Sequence, residues 1–118
     1  MLDDTTKETF DVAIVGFGPV GATLAHLLGL RGISTLILDR EAAAYHLPRA
    51  VHFDDETMRV FQCIGVADEL LPKLRVNPGM RFLDPKGNLL LDWPRPQSES
   101  ALGWHPSWRF HQPDLEEI

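Results

Sequence analysis

Apolar positions in the first forty residues form short continuous runs that are separated by glycine turns. Residues 10–15 are apolar except for Asp11 and are rich in β-branched residues, which predicts a buried strand of a parallel sheet. A helix over 19–30 and a second buried strand over 33–38 follow, which completes a βαβ unit with an expected right-handed crossover. The apolar side of this helix is predicted to comprise Val20, Leu24, Leu27 and Leu28.

The pattern changes after the second strand. A helix is predicted from Asp54 or Asp55, either of which can cap it, to about residue 64, with Gly65 at its end. Its buried stripe is predicted to comprise Met58, Phe61 and Ile64. We expect a helical turn over 67–71 that stops at Pro72.

The last third of the chain predicts less regular structure. Residues 80–84 and 88–93 predict a hairpin, and residues 108–111 predict a short extended segment. The final residues 112–118 are typical of the first turn of a helix. We interpret the sequence as a truncated piece of a longer protein, with a frayed segment at 1–9 and one partial domain over 10–118.

The candidate chemistry lies in the first turn, where Gly16-Phe17-Gly18-Pro19-Val20-Gly21 matches the dinucleotide-binding pattern G-x-G-x-x-G. The first glycine permits a sharp turn, the second a close approach of a pyrophosphate, and the third tight packing of helix against strand. The helix start directs free N–H groups and a positive dipole end at the phosphates.

Asp39 lies 18 residues after Gly21, at the end of the second strand. A carboxylate there accepts hydrogen bonds from ribose hydroxyls and repels a 2′-phosphate, so NADP is disfavoured as the ligand of this turn. FAD and NAD both fit this fingerprint, and a glycine turn without a ligand is the alternative.

Composition narrows the function classes. The 118 residues carry a net charge of −6 and no Lys/Arg-rich run, so we expect no nucleic acid partner. No apolar run reaches the length of about 20 residues that a membrane span needs. The single cysteine, Cys63, fits a cytoplasmic location, and we expect it to be a small buried residue. We propose no metal site, and the oligomeric state stays open, a homodimer included.

Several segments then fall in one order and spacing: the glycine turn, 39–40, 47–50, 54–56 and 64–68. In these segments the chain resembles the flavin-dependent class A aromatic hydroxylases. Residues 80–83, 85–87 and 112–113 extend this to a stronger likeness to the 3-(3-hydroxyphenyl)propionate hydroxylases. The resemblance implies a Rossmann-like α/β FAD-binding fold, here incomplete. It also implies reduction of FAD by NADPH or NADH, and hydroxylation of a phenolic substrate with O2 through a flavin C4a-hydroperoxide.

The resemblance also implies residue roles. Gly16, Gly18, Pro19, Val20, Gly21 and Asp39 would hold the ADP half of FAD, and Arg40 would flank the adenosine. Arg49 would lie near the pyrophosphate or flavin, and Gln112 near the ribityl chain. Asp54 would be a catalytic acid that assists deprotonation of the phenol.

Each of these later residues has a simpler alternative. Arg49 fits a surface arginine, Asp54 a helix cap, and Gln112 a residue at a helix start. Two other functions also stay open: an FAD-dependent oxidoreductase or halogenase of another class, and a nucleotide-binding module without catalytic activity.

Overall fold

The computed structural model describes residues 8–118, and the chain divides into two compact units. The amino-terminal unit ends at Ala43, and the carboxyl-terminal unit runs from Ala44 to Ile118. Most of the frayed segment predicted at 1–9 lies outside the described residues. Residues 8 and 9 are exposed and belong to no helix or strand.

The amino-terminal unit is a single βαβ unit, as the sequence predicts. Strand β1 spans Val12–Val15, helix α1 spans Pro19–Gly29, and strand β2 spans Thr35–Leu38. The two strands are parallel, in a register that pairs Val12 with Thr35. Gly32 adopts φ +68° just after α1, which is the left-handed conformation that closes a helix.

The predicted apolar side of α1 is buried much less than expected. Val20 is 83% exposed, Leu24 is also exposed, and Leu27 and Leu28 are half-buried. Among the described residues of this unit, only β1 and β2 form a sheet on which α1 can pack. Among residues 8–43, Ile14 of β1 is therefore the one hydrophobic residue that is buried.

The carboxyl-terminal unit contains nine short elements. Two small sheets are present: β3, β7 and β4 form an antiparallel three-stranded sheet, and β5 pairs with β6 as a hairpin. In chain order the elements are β3 His52–Asp54, α2 Asp55–Ile64, α3 Ala67–Leu70, a 3-10 turn Leu71–Lys73, β4 Arg75–Val76, β5 Gly79–Leu83, β6 Leu89–Pro94, β7 Ser107–Arg109 and α4 Gln112–Glu116.

The helices and the hairpin of this unit lie close to the ranges that the sequence predicts. Helix α2 ends at Gly65, which adopts φ +86°. Pro72 is a correction, because it lies inside the 3-10 turn and does not terminate the helical segment. A proline fits the first positions of a helical turn, where its missing N–H would have no partner.

The core of this unit forms where α2 and α3 pack against the three-stranded sheet. Its buried members are Phe53, Met58, Phe61, Ala67, Leu70, Leu74 and Trp108. The expectation for Cys63 is wrong, because its side chain is exposed. Cys63 is five positions beyond Met58, which rotates it about 140° away from the buried stripe of α2.

Candidate functional site

The glycine turn connects β1 to α1, and its backbone requires glycine at two positions for different reasons. Gly16 adopts φ +102°, a conformation that other residues rarely adopt. A Cβ atom at Gly21 would overlap the carbonyl oxygen of Gly16 and would lie 3.4 Å from Cγ2 of Ile14. Helix α1 therefore begins directly against the turn and strand β1, as the third glycine of the motif predicts.

Gly18 has no such requirement in its own backbone angles. It is the N-cap of α1, with φ −78° and ψ −170°, which any residue can adopt. Pro19 follows at the first helical position. The backbone angles of Gly18 therefore do not require a glycine, whereas a ligand that lies close to the backbone at this position would require one.

The amino-terminal end of α1 has the donors that an anion needs. Within residues 8–118, no acceptor takes the backbone N–H groups of Gly18, Val20 and Gly21. The eleven-residue helix adds the positive end of its dipole at the same place. Such a group of free donors is suited to a phosphate or pyrophosphate.

Asp39, just beyond β2, holds the glycine turn with its carboxylate. Its Oδ2 atom accepts a hydrogen bond from the N–H of Phe17 at 2.5 Å, and Oδ1 accepts from the N–H of Glu41 at 2.8 Å. Hydrogen bonds from Glu41 and then Phe17 lower the pKa of the Asp39 carboxyl. The two bonds go to different oxygens, and an asparagine would place an NH2 group at one of these two positions, so it could not accept both in this geometry.

The Asp39 carboxylate has capacity left for a ligand. Each carboxylate oxygen can accept two hydrogen bonds, and one bond to each is described. Asp39 is therefore compatible with the predicted role as a ribose acceptor. The neighbouring Arg40 is exposed, and its Nε lies 3.2 Å from the Glu41 carboxylate. Its role beside adenosine stays a prediction.

In the carboxyl-terminal unit, a hydrogen bond joins two of the predicted site residues, the backbone of Arg49 and the side chain of Gln112. Gln112, at the start of α4, accepts hydrogen bonds at Oε1 from the N–H groups of Arg49 and Ala50, at 2.8 and 2.9 Å. The guanidinium of Arg49 lies 5.8 Å from the ring centre of Tyr45. Within the described chain, that guanidinium forms no ion pair, so its charge is available to an anion.

The structure confirms that Asp54 caps helix α2. Its Oδ1 atom accepts from the backbone N–H and the hydroxyl of Thr57, at 2.9 and 2.8 Å, at the start of α2. These two hydrogen bonds from Thr57 lower the pKa of the Asp54 carboxyl, which makes it a weaker proton acceptor. Its Oδ2 atom has no described partner, so the catalytic role stays a prediction.

Glu116 is a participant that the sequence analysis did not identify. Its Oε1 atom accepts a hydrogen bond of 2.6 Å from Nε2 of Gln112, four positions earlier on α4. The i,i+4 spacing of a glutamine and a glutamate in a predicted helix was the available signal. Among residues 8–118, no group of three His, Cys, Asp or Glu side chains could hold a metal ion.

The amino-terminal unit fits the ADP half of a dinucleotide. The close packing of α1 against the turn at Gly21, the free N–H groups at the start of α1 and the carboxylate of Asp39 are the features that this half requires. These features do not distinguish FAD from NAD.

Comparison with known proteins distinguishes FAD from NAD as the cofactor. The model of the family described as "FAD binding domain" matches residues 9–117. A probable NADH-specific resorcinol 4-hydroxylase from Rhodococcus jostii is 43% identical over 112 residues, which cover 95% of this chain and 21% of that protein. A 3-(3-hydroxy-phenyl)propionate/3-hydroxycinnamic acid hydroxylase from Mycolicibacterium gilvum is 42% identical over 112 residues, with coverages of 95% and 19%.

A solved structure is similar in fold. It is that of pqsL, a probable FAD-dependent monooxygenase from Pseudomonas aeruginosa, with a TM-score of 0.66 and 27% identity. The match covers 92% of this chain and 28% of that one. The chain thus spans about a fifth of the length of the two hydroxylases, at 21% and 19%. None of the helices described for residues 8–118 is long and apolar enough to cross a bilayer.

Proposed function

Because the chain belongs to the FAD binding domain family, we propose that it is the FAD-binding part of a monooxygenase that hydroxylates a phenolic substrate. NADH or NADPH would be the reductant and O2 the second substrate. The two hydroxylases that are similar over 95% of the chain support this proposal. The activity is proposed for the whole protein, of which this chain supplies the cofactor-binding part.

The observation that carries the proposal is the glycine turn before α1. Gly16 and Gly21 are required by the backbone angle and by packing, whereas Gly18 has backbone angles open to any residue. The glycine at position 18 is explained if the pyrophosphate of FAD lies against it. The free N–H groups of Val20 and Gly21 would bind the phosphate oxygens.

The remaining residues would act on other parts of FAD. Asp39 would accept from the ribose hydroxyls while it holds Phe17, and Arg40 would flank the adenosine. Arg49 would offer its unpaired guanidinium to the pyrophosphate or flavin. Gln112 would have one proton of Nε2 left for the ribityl chain. When bound, the flavin would pass two electrons from the nicotinamide to O2, of which one oxygen atom enters the ring and the other leaves as water.

A titration with FAD tests the binding role. We expect Gly18→Val to weaken FAD binding about tenfold or more, because the isopropyl group would occupy the position of the pyrophosphate. Gly29→Ala is the matched control, since no atom lies within 4 Å of a Cβ at that position of α1. Equal FAD affinity of Gly18→Val and the unaltered chain would contradict the proposal.

The hydroxylase activity needs a full-length enzyme that carries this chain. We expect phenols to stimulate the oxidation of NADH or NADPH by that enzyme, with transfer of one oxygen atom from O2 to the ring. Oxidation of the nicotinamide that no phenol stimulates would indicate another class of flavoenzyme. In the same assay, Asp54→Asn tests whether Asp54 takes part in substrate deprotonation, because asparagine caps a helix but takes up no proton.

The location and the partners are also proposals. We propose a reducing, cytoplasmic location from the single cysteine, Cys63. No nucleic acid or membrane partner is proposed, and a homodimer is the oligomer to test. Sedimentation of the full-length enzyme would determine its oligomeric state.

A further inference from the structure

The segment that precedes β3 is held by a side chain where a strand would otherwise continue. The antiparallel pairing of β3 with β7 extends to a hydrogen bond from the N–H of Phe110 to the carbonyl of Val51, at 3.0 Å. Beyond this point the N–H groups of Arg49 and Ala50 donate to Oε1 of Gln112. The amide of Gln112 thus takes the place of the next backbone carbonyl.

The arrangement uses the whole acceptor capacity of that oxygen. An amide oxygen has two lone pairs, and the two N–H groups occupy both of them. Gln112 is only 3% exposed, so its amide has little access to water. A buried amide whose donors lacked a partner would be costly, and its Nε2 atom therefore needs an acceptor.

Glu116 supplies this acceptor and determines the orientation of the amide. An ionised carboxylate can only accept, so the NH2 end of Gln112 must face Glu116, at the described 2.6 Å. The opposite orientation would place the NH2 group against the N–H groups of Arg49 and Ala50. Glu116 therefore favours the one orientation in which Gln112 can hold the segment.

The segment that is held contains Arg49. Residues 41–51 belong to no helix or strand, and residues 44–51 are exposed. The backbone N–H of Arg49 donates to Gln112, while its guanidinium lies 5.8 Å from the Tyr45 ring centre and takes part in no hydrogen bond or ion pair among the described residues. The backbone contact therefore fixes the point from which the guanidinium extends.

We propose that Gln112 and Glu116 form a clamp that fixes the backbone at Arg49 and so positions its guanidinium for the anionic part of the cofactor. This inference rests on the proposed FAD-binding function. Glu116 is a positioning residue in this account. Gln112 positions Arg49 in addition to its proposed contact with the ribityl chain, and Arg49 is the group that touches the anionic part of the cofactor.

Amide hydrogen exchange at Arg49 and Ala50, measured by NMR on the full chain without flavin, tests the clamp. In Glu116→Lys the ammonium cannot accept from Nε2 and competes for Oε1, so we expect exchange at both amides to rise about tenfold. Glu117→Lys is the matched control, because it makes the same charge change at the exposed neighbouring residue. We expect it to alter exchange less than about twofold.

A double variant distinguishes the clamp from a general loss of structure. In Gln112→Glu with Glu116→Lys, the new carboxylate can accept from both N–H groups and from the lysine at once. We therefore expect exchange at Arg49 and Ala50 to return to within about threefold of the unaltered chain. The clamp is contradicted if Glu116→Lys matches Glu117→Lys, or if the double variant exchanges as fast as Glu116→Lys. If Glu116→Lys unfolds, the double variant still decides, because fast exchange at Arg49 and Ala50 in the double variant contradicts the clamp.

FAD titration separates this inference from the proposed function. We expect Glu116→Lys to weaken FAD binding several-fold more in the unaltered chain than in an Arg49→Leu background, since the clamp acts mainly through Arg49. Absence of FAD binding by every variant would contradict the proposed function and leave the exchange result intact. FAD affinity unchanged by Glu116→Lys, with exchange raised, would contradict the positioning role alone.

Discussion

The two units of this chain differ in how their candidate site residues are held. In the amino-terminal unit, Ile14 is the one buried hydrophobic side chain among the described residues, and the site consists mainly of backbone groups of the glycine turn. In the carboxyl-terminal unit, seven buried side chains form a core, and the site residues are held by side-chain hydrogen bonds. The backbone groups of the dinucleotide-binding turn thus lie in the amino-terminal unit, whereas most of the buried core lies in the carboxyl-terminal unit.

The largest expected effect is on the core of the carboxyl-terminal unit. Leu70 is 0% exposed, and we expect Leu70→Ala to lower the free energy of unfolding by about 2–5 kcal/mol. Leu90, 68% exposed in β6, is the control, and Leu90→Ala should change it by less than about 0.5 kcal/mol. Tryptophan fluorescence during urea unfolding measures both. Similar losses in the two variants would contradict the described core.

The next effect concerns the glycine turn. In Gly21→Ala the new methyl group would overlap the carbonyl of Gly16, and such overpacking costs about 1–3 kcal/mol. We expect FAD affinity to fall about tenfold to a hundredfold. All three tryptophans belong to the carboxyl-terminal unit, so the midpoint of their fluorescence transition should stay unchanged. A shifted midpoint with unaltered FAD affinity would contradict the account, because Gly21 would then affect the carboxyl-terminal core and not the binding of FAD.

A smaller effect is expected at the cap of α2. Asp54→Ala removes both hydrogen bonds from Thr57 and should lower the free energy of unfolding by about 1 kcal/mol. Asp54→Asn keeps an acceptor oxygen and should lower the free energy of unfolding by only about 0.3 kcal/mol. Urea unfolding at neutral pH measures the difference. Equal losses in the two variants would contradict the capping role.

The contribution of Asp54 should also depend on pH. Because folding lowers the pKa of this carboxyl below its ordinary value of 3.8, its stabilisation is present above that value. It is lost as the pH falls through the lowered value of the folded chain. The difference in unfolding free energy between the unaltered chain and Asp54→Asn should therefore shrink below pH 3.8. A difference that grows on acidification would contradict this assignment.

The smallest effect is expected at the end of α1. Gly29→Ala replaces a helical glycine that has open space around it and should stabilise α1 by about 0.5 kcal/mol. Amide exchange within α1 measures the change. The absence of any slowing would indicate that the end of α1 is not helical in solution.

The sequence predicts the elements whose signal is local. The βαβ unit, helix α2 with Asp54 and Gly65 at its ends, and the hairpin all follow from glycine, proline and apolar spacing. The hydrogen bond from Phe17 to Asp39 is less accessible, because it joins positions 22 residues apart without a periodic pattern.

The three-stranded sheet could not be predicted for a related reason. Strands β3 and β4 have three and two residues, too few to show an alternating pattern, and both pair with β7 near the end of the chain. The contacts of Gln112 with Arg49 and Ala50 depend on that pairing. The sequence therefore indicated the individual residues but not the hydrogen bonds that hold them.

The central claim is that the glycine turn binds the ADP half of FAD, and competition between nucleotides tests it most directly. FMN carries the flavin without that half, whereas ADP carries the half without the flavin. We expect saturable binding of FAD by the chain, displacement by ADP, and no displacement by FMN at equal concentration. Binding of FMN as tight as that of FAD, or FAD binding that ADP does not displace, would contradict the account.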